Sequence, residues 1–256
     1  MFHTYHNVKV YYECTGEGKN LLLLHGWGCN TKVMAGFARE FSGTKRVWSI
    51  DFPGFGESDY PNGVWTVDDY MEMTADFIRK MGIEGTDVIC HSFGGRVMIK
   101  LAAKYPELAG KIAFVDAAGV KKKRSLAFHL RTMLYKLCKK ALKSVFLKKL
   151  LKVFGIDAEA RVKNAGSADY KALPDCMKGT FVKVVNEDLT PYLSKIKSPS
   201  LLIYGENDED TPVSLAKIME KKIPDAGLAV IAGAGHFSFL DAPGQVMRIL
   251  RVFLEG

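Results

Sequence analysis

Six short apolar runs, each stopped by turn residues, constrain this chain more than any other feature. They are "NLLLLHG" (Asn20–Gly26), "KRVWSID" (Lys45–Asp51), "TDVICHS" (Thr86–Ser92), "KIAFVDA" (Lys111–Ala117), "SLLIYGE" (Ser200–Glu206) and "GLAVIAG" (Gly227–Gly233). Runs that are apolar without alternation mark strands covered on both faces, as in a parallel sheet. Between them lie helical periodicities at Val67–Met81, Phe93–Tyr105, Val213–Ile223 and Ala242–Leu254. Strand–helix alternation predicts an α/β fold with a mostly parallel, doubly wound sheet. "VKVYYEC" (Val8–Cys14) reads as an edge strand or a hairpin arm.

The alternation breaks once. From about Gly119 to Leu193 no strand pattern occurs, so the sequence predicts a core of residues 1–118 and 194–256 and a helical insertion of 119–193 before the last two strands. An insertion there would stand above the carboxyl ends of the strands, where open α/β sheets place their sites. It reads as a cap. Net charge is +8, and it is local: twelve Lys and Arg with no acid lie between Lys121 and Lys152, leaving 24 basic against 28 acidic residues elsewhere.

Within "DVICHSFGGRV" (Asp87–Val97) a strand turns sharply into a helix around Ser92. A nucleophile at such a tip sits in a strained backbone with strand and helix close together, so only small residues fit two positions to either side. Cys90 and Gly94 meet that requirement, with Cys90 in the place of the usual first glycine. A serine still needs a base. "HGWG" (His25–Gly28) follows one strand and offers the backbone amide of Trp27, which with that of Phe93 could hold a developing oxyanion. "YGENDEDTP" (Tyr204–Pro212) follows another strand and offers Asp208, and "GAGHFSFLDAP" (Gly233–Pro243) follows the last and offers His236.

These stretches, in the order Ser92, Asp208, His236, resemble the α/β-hydrolase superfamily. "DFPGFGES" (Asp51–Ser58) resembles that family's D-x-P-G-x-G-x-S loop, and the resemblance runs from about Leu21 to Leu254. It implies acyl transfer: Ser92 attacks a carbonyl, His236 takes and returns the proton, and Asp208 stabilises the imidazolium. It implies no metal and no organic cofactor. Branches with an aspartate nucleophile are disfavoured, because the position holds Ser92. Asp116 stands where some members carry their acid, while the spacing from Gly205 to Pro212 favours Asp208.

The expected substrate is a small-molecule ester of small to medium acyl length. A C–C bond hydrolase of the meta-cleavage type, an acyltransferase or perhydrolase, and a ligand-binding protein with little turnover share the same fold and residues. His25 is expected to shape the loop beside the oxyanion, and His91 to pack.

"LAFHLRTMLYKLCKKALKSVFLKKLLKVF" (Leu126–Phe154) shows helical periodicity, with Leu130, Met133, Leu134, Leu137, Ala141 and Val145 on one face. Arg131, Lys136, Lys139, Lys140 and Lys143 cluster opposite, and a phase change at Lys148 predicts a break near Ser144. The bland reading is a lid with solvated lysines. The sharper ones are an anionic membrane surface or an anionic substrate. Nothing resembles a nucleic-acid-reading motif. The chain opens without a secretory pattern, and five scattered cysteines lack ligand spacing, so the expected address is the cytoplasm.

Overall fold

A computed structural model describes residues 1–121, 126–142, 144, 153–154, 156–157 and 168–256. The chain divides into two compact units, residues 1–121 with 179–256, and residues 122–178.

The larger unit is built on eight strands: β1 (Phe2–Tyr5), β2 (Val8–Thr15), β3 (Lys19–Leu24), β4 (Lys45–Ile50), β5 (Thr86–His91), β6 (Ala109–Val115), β7 (Ser200–Gly205) and β8 (Ala226–Ile231). Their order in the sheet is β1-β2-β4-β3-β5-β6-β7-β8. β1 and β2, and β2 and β4, pair antiparallel; every other neighbouring pair is parallel. Five of the six apolar runs occupy the centre, and all six residues of β5 are buried; the sixth run forms the edge strand β8, where Ile231 is the one buried residue. β1 joins β2 through His6 and Asn7, both at positive φ (46° and 64°), the two-residue geometry that matches strand twist.

Helices α1 (Thr31–Phe41), α2 (Val67–Met81) and α3 (Phe93–Lys104) belong to the first half of this unit. α1 is not evident from periodicity. It is set by Asn30, whose side chain caps Lys32 N, and by Met34, Phe37 and Phe41 on one buried stripe. α2 starts with a capping box between Thr66 and Asp69 and stops at Gly82, whose φ of 63° suits a left-handed cap.

The smaller unit holds α4 (Leu126–Ala141), where Leu134, Leu142 and Ile156 pack on the buried pair Cys138 and Ala141. It also holds α5 (Ala168–Ala172) and the first turn of α6 (Asp175–Asn186), where Lys178 pairs with Asp175 at 2.6 Å. No strand occurs among the described residues of 119–193. The second predicted lid helix, beyond Ser144, lies for the most part outside the described residues.

The larger unit starts its return at Gly179 rather than at residue 194. The reason is anchoring: Leu189 and Leu193 are fully buried, Arg96 Nη1 donates to Glu187 O at 2.9 Å, and Thr180 Oγ1 accepts from Trp65 N at 3.0 Å. The chain then continues through α7 (Val213–Lys222), α8 (Ser238–Asp241) and α9 (Pro243–Glu255). Leu21, Leu23, Ile89, Val115 and Ile203 on one face of the sheet pack with Phe37, Phe41, Val246 and Leu250 of α1 and α9. Among the described residues no helix is long and apolar enough to cross a membrane.

Candidate active site

Three parallel strands deliver the candidate residues at their carboxyl ends. Ser92 follows β5 directly, Asp208 lies three residues beyond β7, and His236 five beyond β8. Because the strands are hydrogen-bonded into one sheet, the loops that leave them start from fixed positions.

Ser92 has φ 46° and ψ −106°, a conformation that L-residues adopt only under constraint. The constraint is visible in its neighbours. A Cβ on Gly94 would stand 2.5 Å from Leu24 O, and one on Gly95 would stand 2.5 Å from Ala117 Cβ. Gly94 N donates to His25 O at 3.1 Å, and Ser92 O accepts from both Gly95 N and Ala118 N. Cys90, fully buried with its thiol pushed up by burial, fills the first small-residue position.

The structure brings Ser92, His236 and Asp208 together. His236 Nε2 lies 3.0 Å from Ser92 Oγ, and His236 Nδ1 lies 2.8 Å from Asp208 Oδ2. An ionised carboxylate can only accept, so Nδ1 carries the proton and Nε2 is left to accept from the serine hydroxyl. Burial would raise the Asp208 carboxyl, but hydrogen bonds from His236 and Thr211 and the His236 charge outweigh it and hold it at about 2. Burial likewise opposes protonation of His236, yet the bond to Asp208 and its charge hold the imidazole above its ordinary value. Together these features suit a base that accepts a hydroxyl proton and keeps it briefly.

Asp116, the other candidate acid, is placed differently. Its φ is 46°, and its carboxylate accepts from Gly205 N at 2.9 Å, Ser238 N at 2.9 Å and Ser238 Oγ at 2.7 Å. It therefore ties the end of β6 to β7 and to the loop carrying His236. Burial pushes its carboxyl up to about 6 against those three donors.

Trp27 and Phe93 are brought side by side, their rings 5.3 Å apart and edge to face. Phe55 and Phe181 flank the Trp27 ring at 4.9 and 5.3 Å. His25 is buried and braces the same loop: Nδ1 donates to Gly26 O at 2.7 Å, and Nε2 accepts from Phe52 N at 2.9 Å. Burial lowers it to about 4, so it is neutral.

Two residues have roles here that the sequence alone does not assign. Thr211 donates from N and Oγ1 to the two oxygens of Asp208, at 2.8 and 2.6 Å. Its signal is its place just after a turn that the Asp208 side chain closes on Asp210 N, two residues on, at 2.8 Å. His91 does more than pack: its Nε2 donates to His236 O at 2.9 Å. Its Nδ1 is buried, finds no hydrogen-bond partner among the described residues and faces Gly26, where a Cβ would approach to 2.6 Å.

Asp208, Asp210 and His236 also bring ligating atoms within 4.8 Å of one another. A cation there would have to displace the Asp208–His236 bond.

A family model described as alpha/beta hydrolase fold matches residues 19–243. A pimeloyl-[acyl-carrier protein] methyl ester esterase of Nitrosomonas europaea is 28% identical over 248 residues, covering 93% of this chain and 96% of its own. A 2-hydroxy-6-oxononadienedioate/2-hydroxy-6-oxononatrienedioate hydrolase of Burkholderia vietnamiensis is 27% identical, covering 97% and 91%. Among solved structures, a hydrolase from Pseudomonas aeruginosa superposes with a TM-score of 0.77 at 19% identity, covering 100% of this chain and 98% of that one.

Proposed function

The chain belongs to the α/β hydrolase fold family, and from that membership we propose that it is a serine hydrolase cleaving a carboxylic ester of small to medium acyl length. The observation that carries this reading is the 3.0 Å contact of Ser92 Oγ with His236 Nε2, backed by Asp208 at 2.8 Å.

In the proposed reaction Ser92 Oγ attacks the ester carbonyl carbon while its proton passes to His236 Nε2. The oxyanion is held by the backbone amides of Trp27 and Phe93; loss of one such donor typically costs roughly 10²–10³ in rate. His236 returns the proton to the alcohol oxygen as the C–O bond breaks, leaving an acyl-Ser92. Water, deprotonated by His236, then releases the acid and restores the hydroxyl. Asp208 stays ionised throughout and stabilises the imidazolium. All of this chemistry is carried by side chains and amides of the protein itself. The substrate is a small molecule, and the odd number and scattered spacing of Cys14, Cys29, Cys90, Cys138 and Cys176 suit a reducing compartment, the cytoplasm.

A second reading is favoured by one finding: the meta-cleavage-type relative is as similar (27%) as the esterase (28%). In that reading the same triad serves cleavage of a C–C bond beside a ketone. Fluorophosphonate labelling of wild type, Ser92→Ala and His236→Ala tests the shared premise. Labelling is expected in the wild type, absent in Ser92→Ala and collapsed in His236→Ala; a folded wild type that takes no label removes the proposal. A chain-length series of esters set against a dienedioate ketone then separates the two readings.

A further inference from the structure

Helix α4 carries more apolar surface than its own unit covers. Leu134, Cys138 and Ala141 form the stripe that packs inward. Beside it runs a second stripe, Leu130, Met133 and Leu137, spaced i, i+3, i+7 and therefore on one side of the helix. These three side chains are 62%, 64% and 43% exposed. Past them, going round the helix, come the exposed Lys140, Lys136 and Lys139. The order is buried seam, open apolar stripe, lysine flank.

That order has a physical meaning. A helix that only roofs its own small core would turn polar where burial stops. Here the polar boundary is displaced, so an apolar strip lies between the seam and the charges. A helix lying in the plane of a lipid surface needs this arrangement: apolar side chains entering the acyl boundary, with ammonium groups on flexible stems reaching headgroups. We propose that α4 docks the protein on an anionic lipid surface through Leu130, Met133 and Leu137, with Lys136, Lys139 and Lys140 supplying the charge attraction.

Charge complementarity selects this occupant over others. By sequence the stretch from Lys121 to Lys152 contains twelve basic residues and no acid. A second copy of the same helix would bring lysine against lysine with no carboxylate from this stretch to relieve it. The flank is built of lysines, which act as point charges and do not present the rigid fork that reads a single carboxylate or phosphate. Such a face is suited to smeared negative charge. The inference is independent of the ester-hydrolase reading, because docking requires no turnover.

The test is co-sedimentation of the full-length protein with sucrose-loaded vesicles of phosphatidylcholine alone or mixed with phosphatidylserine. Wild type is expected in the pellet only with phosphatidylserine, and to be released as salt is raised. Lys136→Glu/Lys139→Glu/Lys140→Glu should weaken partitioning on the order of 100-fold or more. Leu130→Ser/Met133→Ser/Leu137→Ser should weaken it while leaving the charge intact. Far-ultraviolet dichroism of each variant checks that α4 remains folded. No pelleting of wild type, equal pelleting with neutral vesicles, or undiminished binding by the folded lysine variant would overturn the proposal. So would concentration-dependent dimerisation abolished by the serine variant with no vesicle binding.

Discussion

The hydroxyl of Thr211 stands 2.6 Å from Oδ2 of Asp208, the same oxygen that receives His236 Nδ1. Asp208 Oδ1 meanwhile accepts from the backbone N–H groups of Asp210 and Thr211, both at 2.8 Å. The carboxylate is thus pinned from the chain immediately after it, and the imidazole is aligned by a group that cannot rotate away. Thr211→Val removes the hydroxyl donor and keeps the shape. It should raise the Asp208 pKa from about 2 and lower ester turnover about tenfold, the worth of one hydrogen bond to a charged group. Thr211→Ser should restore most of the rate. Steady-state kinetics on the three proteins check this.

The raised pKa of His236 has a definite sign in the pH profile. In the proposed reaction His236 must be neutral to take the Ser92 proton, so activity is expected to fall as pH drops through its pKa. Since Asp208 holds that value above 6.5, the acid limb of kcat/KM should have its midpoint above 6.5. Asp208→Asn removes the charge and can present an amide N–H to Nδ1, which favours the wrong tautomer. It should move the acid limb to lower pH and reduce the rate by roughly 10⁴.

Close packing at the elbow predicts a stability effect that surface glycines do not share. Gly94→Ala places a methyl 2.5 Å from Leu24 O, a backbone atom at the carboxyl end of the central strand β3. Gly95→Ala places one 2.5 Å from Ala117 Cβ. Each should cost about 1–3 kcal/mol, lowering Tm by about 2–4 °C per kcal/mol. Gly43→Ala, with nothing within 4 Å of the new methyl, should change stability by no more than about 0.5 kcal/mol. Thermal denaturation of the set measures the contrast.

His91→Phe should separate activity from stability. The new ring can keep the packing that His91 makes with Phe237 and Phe239, at 4.9 and 5.1 Å. It loses the bond to His236 O but also removes a buried, unpartnered nitrogen, and these opposed contributions are each about 1–3 kcal/mol. Tm should therefore move little. Turnover should fall severalfold with KM nearly unchanged, because the His236 loop is less firmly held and substrate contacts are not.

Much of the architecture is legible in the amino-acid sequence, and the reason is burial. The runs that form β3 to β7 are covered on both faces, so their sequences are apolar without interruption. The hairpin of β1 and β2 is legible only in part, because its turn is His6–Asn7 and lacks the glycine that usually announces such a turn. α1 escapes periodicity, since Gly36 interrupts a pattern whose informative residues are Asn30, Met34, Phe37 and Phe41. Residues 179–193 read as part of the insertion because they lack strand character; their attachment depends on Leu189, Leu193 and Glu187 meeting partners distant in sequence. Motifs single out Ser92, Asp208 and His236, but Asp116 and Asp208 both follow adjacent strands. The spacing from Gly205 to Pro212 favours Asp208, and the fold adds the reason: its carboxylate faces His236, whereas that of Asp116 holds Ser238 and Gly205.

β6 ends at Val115 and β7 begins at Ser200, yet Ile112 to Val115 pair with Ser200 to Ile203 residue for residue, as if nothing lay between. The ladder closes like a zip over the intervening chain. Residues 122–178 are therefore a cassette, and Ser92, His236 and Asp208 all lie outside it, at the ends of strands that pair without it. An evolving lineage, or an engineer grafting a segment between Lys121 and Gly179, has one place where new sequence enters without interrupting that ladder.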